Sequence, residues 1–171
     1  MFFKKNIKNL NRIQTSQNRD LLNGINLDRN EKVDTFNLKL QNSIKKQLSK
    51  NIFNSTPDIS NLYNCLSKYL KINSKNIYIT QGITEGIFQI IFSMTKKNDE
   101  VIIMNETYPM YKIICKLNDI KFKTWDFNEK FQLSFNGLKK KILNKTKIIF
   151  LVNPNLPIEY EFSQKLKKKL Y

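Results

Sequence analysis

Apolar and polar positions follow two different periods along this chain. Residues 1–26 are polar, rich in Asn and without a clear period, which reads as an arm. From Asp34 to Lys50 the apolar residues Phe36, Leu38, Leu40, Ile44 and Leu48 suit a helix, if an untidy one. A loop through Asn54-Ser55-Thr56-Pro57-Asp58 follows. Ser60 then stands as the cap of a second helix, with Leu62, Leu66, Tyr69 and Leu70 on one face. From Ile77 a regular alternation sets in. Strands are predicted at Ile77–Thr80, Val101–Met104, Ile120–Trp125 and Lys147–Val152. Between and around them lie helices at Glu85–Met94, Pro109–Leu117 and Phe135–Leu143, the first with Ile87, Ile90, Ile91 and Met94 facing inward.

Short apolar strands alternating with helices imply parallel βαβ units, and therefore an α/β fold with helices packed on a mostly parallel sheet. Ligands of such sheets sit at the carboxyl ends of the strands. That rule directs attention to loops 81–84, 105–111 and 153–157. In the first, Gly82 permits a tight turn, the following helix N-terminus offers free N–H groups, and Thr84 adds a hydroxyl. It can serve as a phosphate cradle or as a plain structural turn. The second, Asn105 to Tyr111, brings Tyr108 and Tyr111 to the same sheet edge, either to stack on a flat heteroaromatic ring or to cover the sheet. The third, Asn153-Pro154-Asn155-Leu156-Pro157, is a rigid proline turn with room for a cis bond.

Composition narrows the chemistry. The chain has 171 residues, 40% of them hydrophobic, enough for one compact core. It contains no histidine, which excludes His-based acid–base catalysis, Ser-His-Asp triads and His-ligated metals. Cys65 and Cys115 are far apart and fit no zinc or redox spacing. The first ten residues lack the apolar segment of a secretory signal, and no stretch approaches the roughly 20 apolar residues of a membrane span. A cytoplasmic protein with no membrane partner is expected. The formal net charge of +16 raises the alternative of a basic nucleic-acid-binding module. Almost all of that charge is lysine, however, with arginine only at Arg12, Arg19 and Arg29 and short lysine runs only at Lys139–Lys141 and Lys167–Lys169. Arginine supplies the bidentate contacts to phosphate and guanine. With Asn and Ile also abundant, the charge reads as a compositional bias of an A/T-rich source, and nucleic acid is not the expected partner.

Taken in order, the segments resemble the class I/II, fold-type-I, pyridoxal-phosphate-dependent aminotransferases, most closely the histidinol-phosphate aminotransferase-like branch. The resemblance runs from about Leu27 to Glu159. It is carried by Leu27-Asp28-Arg29-Asn30-Glu31, Leu66-Ser67-Lys68-Tyr69-Leu70, Gly82-Ile83-Thr84-Glu85-Gly86-Ile87, Asn98-Asp99-Glu100-Val101, Thr107-Tyr108-Pro109-Met110-Tyr111 and Asn153-Pro154-Asn155-Leu156-Pro157-Ile158-Glu159. It implies an N-terminal arm and small-domain segment over 1–58. Residues 59–171 would be the first part of a three-layer αβα cofactor-binding domain with a mostly parallel sheet. The implied cofactor is pyridoxal 5'-phosphate, held by Gly82, Ile83 and Thr84 at its phosphate, by Tyr108 at its ring, and by Asn155 if loop 153–157 shifts. Asn30 would lie near the substrate. The implied partners are a small-molecule amine and a keto acid, and the complete protein would be a homodimer.

Departures from the pattern qualify these expectations. Leu156 stands where the family has the asparagine that bonds the ring hydroxyl, Glu159 replaces its closing glycine, Thr56 its tyrosine, and Glu106 the proline before Thr-Tyr. The family's Schiff-base lysine, the aspartate beside the pyridine nitrogen and the carboxylate-binding arginine follow later strands and have no counterpart before Tyr171. The expectation is an N-terminal portion of such an enzyme, with no catalytic residue of its own and inactive in isolation. A non-catalytic relative with an interaction role is the alternative.

Overall fold

The computed structural model describes residues 32, 34–48 and 54–170. They belong to two compact units, one within Ile13–Ile79 and the other from Thr80 onward.

In the first unit, helix α1 (Leu38–Gln47) starts at Asn37, whose side chain accepts the Lys39 N–H at 2.8 Å. Helix α2 (Ser60–Leu70) corrects the expected cap. Ser60 is already helical, and Asp58 does the capping, its Oδ1 accepting from the Ser60 N–H at 2.9 Å and from the Ser60 hydroxyl at 2.6 Å. A carboxylate two residues upstream reaches the exposed N–H that a serine inside the first turn cannot. The hydroxyl bond first, and then the backbone bond, hold the Asp58 carboxyl below its ordinary value. Its contribution is thus present above the ordinary carboxylate value and fades as pH falls through the depressed one. Neither helix has a buried residue.

The expected strand at Ile77–Thr80 is also corrected. Ile77 has extended dihedrals (φ −111°, ψ 132°), yet the segment pairs with no strand among the described residues. Extended backbone becomes a strand only where a neighbouring edge completes its hydrogen bonds. Here the Ile77 N–H returns to the Ser74 carbonyl, and the Ile79 N–H donates to the Tyr63 hydroxyl at 3.4 Å.

The second unit is built on a parallel sheet of β1 (Glu100–Met104), β2 (Lys121–Trp125) and β3 (Thr146–Phe150), in the order β2-β1-β3. All five residues of β1 are buried. Their side chains alternate between faces. Val101 and Ile103 pack with Ile87 and Ile91 of α3 (Ile83–Met94) and with Tyr111, Ile114 and Cys115 of α4 (Met110–Leu117). Ile102 and Met104 pack on the other side with Trp125, Leu138 of α5 (Phe135–Lys141) and Leu166 of α6 (Gln164–Leu170). The result is the three-layer αβα arrangement. Burying each of these aliphatic side chains is worth about 1.5–3 kcal/mol. At the amino end, the buried Glu100 carboxylate pairs with Lys123 of β2 at 3.1 Å and with Lys145, just before β3, at 3.5 Å, so one residue of β1 ties both neighbours.

Helix α3 differs from expectation on one side. Ile87 and Ile91 are buried, whereas Ile90 and Met94 are 41% and 61% exposed. Ile90 points about 60° away from Ile87 around the helix and on the side away from Ile91, whereas Met94 is in line with Ile87 but is the last residue of the helix.

The two thiols report on this core. Cys115 is buried, and burial pushes its thiol up to about 12, while Cys65 on α2 is exposed. A thiol-reactive chromophore should modify one cysteine in native buffer and the second only after unfolding. Two fast-reacting thiols in the native protein would contradict the packing of α4 on β1.

Candidate functional site

Strands β1 and β3 are neighbours, but the helices that follow them, α4 and α6, pack on opposite faces of the sheet. Chains leaving adjacent parallel strands in opposite directions open a crevice at the strands' carboxyl ends, where α/β proteins bind ligands. Loop 105–109 and loop 151–163 flank that crevice.

Gly82 introduces α3 with φ +86° and ψ 174°, a conformation open to glycine and strained for any other residue. Among the described residues, no atom outside Gly82 and its chain neighbours lies within 4 Å of where a Cβ at Gly82 would stand. The first intrahelical bond runs from the Gly86 N–H to the Gly82 carbonyl at 3.2 Å, so the N–H groups of Ile83, Thr84 and Glu85 precede the helical ladder. Glu85 turns its carboxylate back to accept the Gln81 N–H at 2.6 Å, in the manner of a capping box, and the N–H groups of Ile83 and Thr84 stand with its own at the mouth of the helix.

Beside this helix end, the Thr84 and Tyr108 hydroxyls are 3.1 Å apart. Tyr108 is 43% exposed and meets the Tyr111 ring edge-on, 6.4 Å between centroids. Tyr111 is buried against Phe150 of β3, with centroids 4.8 Å apart. Burial, with Tyr108 adding to it, raises the Tyr111 hydroxyl above its ordinary value, so it stays neutral. One tyrosine of the second loop therefore covers the sheet and the other faces the opening.

Loop 105–109 is held from below. Glu106 takes a left-handed φ of 52°, Thr107 turns inward to 7% exposure, and the Asn155 side-chain amide donates to the Glu106 carbonyl at 2.9 Å. Asn155 is fully buried, and its own backbone N–H and carbonyl both pair with Tyr160. The Asn153 side chain accepts the Phe162 N–H at 2.9 Å. Both proline bonds of the turn, Asn153–Pro154 and Leu156–Pro157, are cis. Leu156 is 48% exposed. Two buried polar atoms, Thr107 Oγ1 and Asn155 Oδ1, have no hydrogen-bond partner among the described residues.

Of the residues singled out in the sequence, Gly82, Ile83, Thr84 and Tyr108 come together at one opening. Asn155 lies beneath loop 105–109 with its amide engaged. Asn30 lies outside the described residues. Sequence reasoning missed Asn153, Thr107 and Lys112, whose ammonium donates to Asn105 Oδ1 at 2.9 Å. No spacing marks such loop ties in advance.

The arrangement fits a planar ring carrying a phosphate. The open space over Gly82, the two N–H groups and the Thr84 hydroxyl suit an anion, and Tyr108 offers an aromatic face next to it. The same fold occurs in solved fold-type-I enzymes. Cystalysin from Treponema denticola, whose structure contains a pyridoxal 5'-phosphate cofactor, superposes with a TM-score of 0.64 at 19% identity, over 77% of this chain and 35% of that one. The family model of aminotransferase class I and II matches residues 21–158, and the chain belongs to that family. It is similar to the histidinol-phosphate aminotransferase of Buchnera aphidicola subsp. Melaphis rhois, 33% identical over 158 residues, covering 90% of this chain and 42% of that protein. It is also similar to that of Clostridium novyi (strain NT), 29% identical over 136 residues, covering 78% and 38%. The chain thus spans less than half the length of either relative.

Replacing Asn155 with alanine should lower the unfolding free energy by about 1–3 kcal/mol, since it removes a buried hydrogen bond and strands the Glu106 carbonyl. Leu156→Ala, at an exposed position, should stay within about 0.5 kcal/mol. Urea denaturation of the two variants checks this, and equal losses would contradict the assignment of Asn155 as the tie beneath the loop.

Proposed function

We propose that this chain supplies the phosphate-binding and ring-stacking part of a pyridoxal-phosphate-dependent aminotransferase. The observation that carries the reading is the meeting of the Gly82–Thr84 helix end with Tyr108 at the carboxyl end of the sheet. In this reading the N–H groups of Ile83 and Thr84 and the Thr84 hydroxyl bind the phosphate dianion, aided by the positive end of α3. The exposed face of Tyr108 orients the ring and keeps water from that side. Asn155 holds the loop from which Tyr108 projects, and its Oδ1 has no partner among the described residues. When bound, the cofactor supplies the electron sink for amino-group transfer, and the protein supplies position and electrostatics.

Residues 1–58 are assigned to an arm and small-domain segment and 59–171 to part of the cofactor domain, with Asn30 close to the substrate. The reaction is transfer of an amino group from an amino acid or similar amine to a keto acid. The names of the relatives make histidinol phosphate the first amine to try. The working enzyme is a cytoplasmic homodimer. The chain alone is proposed to be inactive, since transamination needs a lysine that first holds the cofactor and then moves the proton at the substrate α-carbon. A non-catalytic relative is the second reading. It is favoured by Leu156, which has no hydrogen-bonding group to offer, and by the engagement of Asn155 with Glu106.

Equilibrium dialysis of the chain with pyridoxal phosphate tests the site. Gly82→Val should weaken binding about tenfold or more, a loss of about 1.4 kcal/mol. Tyr108→Ala should weaken it about threefold to tenfold, on the scale of an aromatic contact. Binding unchanged in both variants would rule the site out.

Activity is assayed separately, with histidinol phosphate and other amino donors, a keto acid and pyridoxal phosphate. The expected rate is no more than that of the free cofactor. Faster turnover that disappears in Tyr108→Ala would refute the proposed inactivity.

A further inference from the structure

The two lysine runs, read above as compositional, meet in the fold. Lys139–Lys141 lie on α5 and Lys167–Lys169 on α6, and both helices pack on the same side of the sheet through Leu138 and Leu166. Lys139 and Lys169 set their ammonium groups over one ring, Phe135, at 5.8 and 5.9 Å from its centroid. The runs are therefore halves of one surface. Lys141 is offset by Asp126 at 3.1 Å and Lys167 by Glu161 at 3.3 Å. Lys139, Lys140, Lys165, Lys168 and Lys169 are exposed and form no ion pair among the described residues. Like charges gathered on one face repel one another and create a positive field that an outside polyanion relieves.

We infer that this α5–α6 face docks on the phosphate backbone of duplex nucleic acid. Leu138 and Leu166 are buried in the core and Phe135 and Leu170 pack against it, so neither helix turns an apolar stripe outward to insert into a lipid surface, and the exposed Ile142 and Leu143 lie just past the end of α5. Phe135, half-buried beneath two ammonium groups, is not free to stack on unpaired bases as single-strand binders require. What the face presents is a set of mobile point charges, which neutralise phosphates without reading bases. It is the outer surface of a helix layer, apart from the strand ends that carry Tyr108, and binding there does not depend on the cofactor reading.

The test is fluorescence anisotropy of a labelled 20-base-pair duplex with the full chain over a range of salt concentrations. Two variants of equal net charge are compared. One replaces Lys139, Lys140, Lys165, Lys168 and Lys169 with glutamine, and the other replaces the exposed Lys39, Lys45, Lys46, Lys68 and Lys75 of the first unit in the same way. With a slope near −0.9 per neutralised phosphate, the α5–α6 variant should lose about tenfold or more in affinity at low salt, with a shallower salt slope, and the other variant less than about threefold. All replaced side chains are exposed, and circular dichroism checks that both variants keep the parent's fold. Duplex sequence should make no difference. Equal losses in the two variants, no duplex binding by the parent, tighter binding to single strands, or binding to phosphatidylserine vesicles in place of duplex would each overturn the assignment.

Discussion

The five residues from Glu100 to Met104 are buried from end to end, and the second unit is arranged around them. A strand buried on both faces must have neighbours on both edges and helices on both sides, because its apolar side chains need apolar partners and each of its peptide groups a hydrogen bond. β2 and β3 satisfy the edges, α3 and α4 one face, and α5 and α6 the other. Glu100 fastens the amino end to both flanking strands by charge. The loops at the carboxyl end carry the candidate chemistry.

The site follows from that asymmetry. Helices α4 and α6 pack on opposite faces of the sheet, and the loops after β1 and β3 are tied together by Asn155 and Glu106. Tyr111 is drawn down on Phe150 and stays neutral, while Tyr108 is left at the opening with its hydroxyl on Thr84. The helix end supplies positive charge, the glycine supplies room, and the ring supplies a flat apolar wall. The chain belongs to the aminotransferase class I and II family, and the proposed cofactor site is assembled from these parts.

Much of this was legible in the sequence, because the signals were local. The three paired strands, the helices between them and the three loops all follow from a change of apolar period and from Gly82, the tyrosines and the prolines. What the sequence did not disclose was relational. Ile77–Thr80 has strand composition, but pairing depends on a partner that composition cannot name. Ile90 and Met94 are as apolar as Ile87 and Ile91, and what tells them apart is the direction of Ile90 around the helix and the place of Met94 at its end. Asp58 displaces Ser60 as the cap because a carboxylate two residues upstream is better placed for the same N–H. Asn155 resembles a turn residue until its amide is seen to hold a loop 49 residues away. The lysine runs gain meaning only when α5 and α6 come together over Phe135.

The central claim is that pyridoxal phosphate binds where the α3 N-terminus meets Tyr108. The most direct measurement is an amide and aromatic chemical-shift map of the labelled chain as pyridoxal phosphate is added. The account predicts that the largest movements fall on the amides of Gly82, Ile83 and Thr84 and on the Tyr108 ring, with Tyr111 little changed. Shifts confined to other parts of the molecule, or none at concentrations where the cofactor is bound, would contradict it.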